Sequence, residues 1–238
     1  MLVQRKNPGC RGGATRNYAF EIARKARDTI QTLDVRLRGH DNKHPATNIR
    51  LVSLDRISYH GVTMLTIADA APDFSLPGVY QGKVRNYSLR EARGQWLVLF
   101  FYPADFTFVC PTEVTGFSKL AGDFSRERAM IYGVSVDPVE SHRSWAEELG
   151  GIAYPLLSDT DKSVSRAYQV LHPKEGVAIR ATYVIDPEGI IQYSAASNMN
   201  VGRSVEESLR VLRALCTGKL CPADWKPGES TGELYHKY

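Results

Sequence analysis

From residue 96 to residue 102 the chain reads WLVLFFY, seven residues that are all aromatic or aliphatic. A short apolar run without alternation suits a strand buried on both faces, so the chain has to supply an apolar layer above it and another below. Pro103 ends the run. After a polar-aromatic loop, a helical pattern opens at Cys110-Pro111 and places Val114, Phe117, Leu120, Ala121 and Phe124 on one face. Pro111 suits the first helical turn, where its missing N–H would have had no partner. Cys110 therefore stands at a helix N-terminus.

The rest of the chain repeats this alternation. Strands are expected at residues 129–136, 154–157 and 180–186, helices at 139–149, 162–170 and 205–217, and hairpins at 78–89 and across Pro187-Glu188-Gly189. Trp145 and Leu149 lie four apart on the second helix, which points to core packing for the tryptophan. This is the outline of an α/β layer fold, shared by several doubly wound architectures.

A length of 238 residues allows one substantial domain plus an appendage. The appendage is N-terminal. Residues 1–63 offer a basic helix at 18–32 and a strand at 48–54, but too few apolar positions to bury a core. Their 12 Lys and Arg against 5 Asp and Glu give +7, leaving −3 for the remainder, so the folded part has no nucleic-acid-binding charge. No apolar run is long enough to cross a membrane, and no secretory signal is evident, which makes the cytoplasm the default location. Organellar targeting by residues 1–63 stays open, although five acidic residues are many for a transit peptide. Four scattered cysteines, Cys10, Cys110, Cys216 and Cys221, do not make a disulfide framework, and without a Cys-x-x-Cys pair they do not fit a zinc site.

Position gives Cys110 its chemistry. First-turn amides and the helix dipole favour negative charge, so a thiol there ionises more readily, and the thiolate is the reactive form. The Thr107 hydroxyl is placed to bond the sulfur or an incoming oxygen, and Pro103 to shield the pocket from water. A buried, unreactive cysteine is the competing reading.

Pro103, Thr107 and Cys110 match the Pro-x-x-x-Thr-x-x-Cys signature of peroxiredoxins, and residues 106–113, FTFVCPTE, resemble the typical two-cysteine branch that includes the peroxidase component of alkyl hydroperoxide reductase. The resemblance begins near Met64 and runs through Gly228. It implies a thioredoxin-like α/β fold with peroxiredoxin additions at residues 64–220, preceded by the 1–63 extension and followed by a 221–238 tail. It also implies a thiol-dependent peroxidase acting on hydrogen peroxide and alkyl hydroperoxides without metal or organic cofactor. Arg180 resembles the family's catalytic arginine, Glu113 the glutamate that orients it, and Arg203 a second arginine of the same network. Cys221, in CPADWKPG, resembles the resolving cysteine. In the family it condenses with the sulfenic acid that forms on the peroxidatic cysteine of a partner protomer, which implies a homodimer, commonly assembled into rings, and an external dithiol reductant of thioredoxin or flavoprotein type. Cys216 departs from the pattern, and its register with Val205, Leu209 and Leu212 suggests a packed, inert thiol.

Two alternatives come from other classes. A thioredoxin-type oxidoreductase needs a second thiol where this chain has Glu113, and an oligomeric holdase chaperone is an activity that some relatives have beside peroxidase activity. The resemblance bears finally on over-oxidation, because peroxide-sensitive relatives carry a Gly-Gly-Leu-Gly loop and a terminal Tyr-Phe. Here the loop reads Gly150-Gly151-Ile152-Ala153 and the chain ends Tyr235-His236-Lys237-Tyr238, which implies resistance to excess peroxide.

Overall fold

The structure, a computed structural model, describes residues 65–233. The expectations for residues 18–32 and 48–54, and for Cys10, Tyr235 and Tyr238, fall outside the described residues. The elements are β1 (Ser75–Tyr80), β2 (Lys83–Ser88), β3 (Trp96–Phe101), α1 (Cys110–Arg126), β4 (Ala129–Ser135), α2 (Val139–Glu148), β5 (Leu156–Ser158), α3 (Ser163–Ala167), β6 (Arg180–Ile185), β7 (Ile191–Ser197) and α4 (Val205–Thr217).

The all-apolar run forms β3, and its residues divide strictly by parity. Leu97, Leu99 and Phe101 enter one core with Phe74, Tyr87, Val164 and Tyr168, while Trp96, Val98, Phe100 and Tyr102 enter the other with residues of α1, α2 and α4. Each fully buried side chain of this size contributes about 1.5–3 kcal/mol of transfer free energy. On the α1 side Phe100 stacks on Phe117 at 4.3 Å between centroids, and Val114 and Phe124 are also fully buried. Gly133 of β4 makes room for that ring, since a Cβ there would lie 2.7 Å from Phe100 Cζ.

Seven strands make one sheet in the order β2-β1-β5-β4-β3-β6-β7. β3, β4 and β5 are parallel, joined by crossovers through α1 and α2. β6 is antiparallel to β3 and β7 to β6. The N-terminal hairpin begins three residues before the expected Gly78 and joins the same sheet, with Gly78 opposite Leu157 of β5. Nothing in the local pattern announced that pairing.

The last helix keeps its expected bounds and the third does not. Ser204 caps α4 by accepting from Glu207 N at 3.1 Å, the serine half of a capping box. α3 is five residues instead of the expected nine: a left-handed Lys162, φ 63°, moves the start by one residue, where the Asp159 carboxylate accepts from the amides of Val164 and Ser165, and a left-handed Gln169, φ 57°, follows its early end. Trp145 is core, 1% exposed.

Candidate active site

Cys110 is the first residue of α1 and is fully buried. Two features of topology bring its partners to it. The β3–α1 connection ends at the cysteine, and the antiparallel β3–β6 pairing, with Phe101 opposite Ala181, puts the first residue of β6 beside the end of β3. That residue is Arg180. Its Nη1 donates to Cys110 Sγ at 3.3 Å and to Glu113 Oε2 at 2.6 Å, and its Nε to Met199 O at 2.8 Å, just past β7. The guanidinium is thus aimed by bonds on two sides.

Glu113 is one turn along α1 from the cysteine and 2% exposed. Its Oε1 accepts from both the backbone N and Nε of Arg203, at 2.8 and 2.9 Å. Arg203 immediately precedes the Ser204 cap of α4, and its Nη1 also donates to Ala181 O at 2.7 Å and to Thr182 Oγ1 at 3.1 Å. Its Nη2 bonds Phe101 O, and its guanidinium carbon lies 5.2 Å from the centre of the Phe100 ring. Burial lowers the Arg203 pKa from its ordinary value, and the Glu113 carboxylate opposes that shift. Arg203, which the sequence made the most peripheral candidate, ties β3, β6, α1 and α4 together through one side chain.

The loop over the cysteine is built differently. Pro103 is buried, whereas Phe106, Thr107 and Phe108 are exposed. Thr107 Oγ1 donates to Ala104 O at 3.2 Å, so the expected bond to the sulfur is replaced by one inside the loop, and the hydroxyl's lone pairs remain available as acceptors. Asp105 beside it is 6% exposed and accepts from Tyr102, Ser141 and His142. None of those four was singled out from the sequence. An aspartate in a polar loop and a histidine on a helix carry no spacing signal until the fold makes them neighbours.

Cys221 is half-buried after α4, its sulfur 3.4 Å from Thr217 Oγ1 and 3.8 Å from Ala214 O. Neither partner belongs to the Cys110 cluster. The tail beyond it is pinned by Trp225, 4% exposed, whose Nε1 donates to Glu229 O and whose carbonyl accepts from Arg210. Cys216 packs on the α1-side core, as its register predicted.

Residues 67–194 match the AhpC/TSA family, more than half of the chain. The chain belongs to that family. A curated relative, the 2-Cys peroxiredoxin BAS1, chloroplastic, of Hordeum vulgare, is 45% identical over 176 residues, covering 69% of this chain and 84% of the relative. Among solved structures, the reduced 2-Cys peroxiredoxin of Plasmodium vivax matches with a TM-score of 0.66 and 34% identity, over 70% of this chain and 92% of that one. Mycobacterium tuberculosis AhpC matches with a TM-score of 0.64 and 38% identity, over 69% of this chain and all of the other. The fold is thus the thioredoxin-like peroxiredoxin fold and the protein is a thiol-dependent peroxidase. Glu113, at the place of a thioredoxin's second thiol, is committed to two arginines. Among the described residues no helix is long and apolar enough to cross a membrane.

Proposed function

We propose that Cys110 is the peroxidatic nucleophile and that Arg180, Glu113, Arg203, Thr107 and Pro103 form its site. The observation that carries this is the 3.3 Å contact between Arg180 Nη1 and the buried sulfur. Two guanidiniums and one carboxylate leave a surplus positive charge in a pocket closed to water, and a thiolate at Cys110 balances it. The sulfur attacks one oxygen of the peroxide, the O–O bond breaks, and the departing oxygen leaves as water or an alcohol after taking up a proton. Arg180 donates to the oxygens as charge moves onto them, with Glu113 and Arg203 holding it in place. Thr107, its own proton engaged by Ala104, accepts from the incoming O–H. Pro103 covers the pocket.

The sulfenic acid left on Cys110 condenses with the Cys221 thiol, expelling water and forming a disulfide that an external dithiol protein reduces. Support for Cys221 comes from its being a free cysteine, half-exposed, on a tail distinct from the packed core. By resemblance to the two-cysteine branch, the target is the Cys110 of a second copy and the working unit is a homodimer, extended in the family to rings; the Cys221 bonds to Thr217 and Ala214, outside the Cys110 cluster, are compatible with that. Hydrogen peroxide and alkyl hydroperoxides are the substrates. The cytoplasm is the proposed location, with residues 1–63 a separate extension and residues 64–220 the catalytic domain.

Peroxide consumption by wild type and Cys110→Ser, with a recycling dithiol present, tests the reading. Wild-type turnover and complete loss in the variant are expected. A variant that still consumes peroxide would move the chemistry elsewhere.

A further inference from the structure

Beside the Pro103–Thr107 loop lies a buried aspartate–histidine contact that the peroxidase chemistry does not use. His142, on α2, is 0% exposed. Its Nδ1 faces Asp105 Oδ2 at 2.8 Å and its Nε2 faces Leu157 O of β5 at 3.1 Å. A carbonyl oxygen only accepts, so Nε2 donates to Leu157 O and the ring bridges β5 to the Asp105 carboxyl group. Asp105 also accepts from Tyr102 Oη at 2.9 Å and from Ser141 Oγ at 2.7 Å, while its backbone N donates to Asp137 Oδ2 at 3.0 Å. Tyr102, Asp105 and Asp137 are the titratable side chains around this cluster, and burial together with Asp105 keeps the tyrosine neutral.

The loop needs such a hold. Phe106, between Asp105 and Thr107, has φ at 53°, a left-handed backbone that a bulky residue rarely adopts and that persists only where its surroundings impose it. Asp105 is bonded on one side of it, and the Phe106 ring lies 6.2 Å from Trp145 of α2 on the other. The polar anchor and the aromatic contact both come from α2, three residues apart.

We propose that the buried Asp105–His142 pair is a clasp that sets the Pro103–Thr107 side of the pocket, making His142 a positioning residue for attack on peroxide. It rests on the assignment of Cys110 and Thr107 above. The division of labour is physical: Arg180 acts on the sulfur's charge, whereas His142 acts only on where the loop sits. A displacement of Thr107 by about an ångström is of the kind that costs up to roughly a hundredfold in rate.

His142→Leu removes both bonds, and His142→Asn keeps one donor toward Asp105. Rapid-mixing rates of Cys110 oxidation by hydrogen peroxide are expected to fall roughly ten- to a hundredfold in His142→Leu, with His142→Asn in between. Alkylation of Cys110 by iodoacetamide, which reports the thiolate, should not fall. Unchanged peroxide rates, or parallel loss of both reactions, would overturn the clasp. Asp105→Asn gives an independent check when a His142 variant fails to fold: the same fall in peroxide rate with alkylation retained is expected, and a wild-type rate in a folded Asp105→Asn protein refutes the clasp. Peroxide consumption surviving in Cys110→Ser would instead sink the site assignment, so the two failures are distinct.

Discussion

Cys110 and Cys221 stand in opposite surroundings within one chain. The first is sealed in the core with an arginine donor 3.3 Å from its sulfur; the second is half-exposed, and the bonding partners of its sulfur are a hydroxyl and a carbonyl. The Thr217 proton is already committed to Ala214 O at 2.7 Å, so toward Cys221 that oxygen acts as an acceptor. One pocket is built to receive an anion. The other receives an S–H. Under the proposed mechanism, two thiols with separate duties, attack on peroxide and attack on sulfur, are served by environments of opposite polarity. Cys110 is held among α1, β6 and α4, while Cys221 lies on a tail tied down by the paired backbone bonds of Leu220 and Gly232, the Lys219–Glu233 ion pair, Trp225 and a bond from Arg210.

The largest expected effect separates the two duties outright. Cys221→Ser should abolish steady-state turnover and the covalent dimer on non-reducing gels, while leaving the first oxidation of Cys110 at its wild-type rate. A dimer band surviving in that variant and lost with Cys216 would transfer the resolving duty. Next, Arg180→Ala should slow the first oxidation by about a hundredfold or more, the scale for losing one preorganised donor to developing charge. A change under about threefold would erase the electrostatic half of the comparison.

A smaller effect is expected from Trp225→Ala. Freed from its anchor, the tail opens more often, so labelling of Cys221 by a thiol reagent should rise several-fold with the first oxidation unaffected. Faster resolution also shortens the life of the sulfenic acid. Wild type itself is expected to survive peroxide in the millimolar range, and mass spectrometry finding a sulfinic acid on Cys110 together with early inactivation would contradict that. The smallest effect is expected from a chain beginning at Met64, whose peroxidase rate should stay within about twofold, since the proposed catalytic residues all follow it. A larger loss would give residues 1–63 a part in the site or the dimer.

Local chemistry accounts for what could be read early. The parity of β3 follows from a run with no polar residue to offer solvent, the start of α1 from a proline that tolerates only the first turn, and the place of α4 from the register of Val205, Leu209 and Leu212. The same logic overran at α3, where left-handed residues at Lys162 and Gln169 bound the helix at both ends. Backbone reversals of that kind leave no periodic signal.

By itself, then, the sequence determined a buried strand, a helix beginning at Cys110 and, through its motifs, the set of residues around the sulfur. Only the tertiary structure decided how they meet. Arg180 reaches Cys110, 70 positions away, because β6 runs antiparallel to β3, and Arg203 reaches Glu113 because α4 packs on the same face as α1. His142 becomes a partner of Asp105 for the same reason, since α2 crosses behind the loop. Apolar patterning specifies which face of an element is buried, but the pairing of two buried charges depends on which strands lie side by side, and that is settled by the packing of the whole sheet.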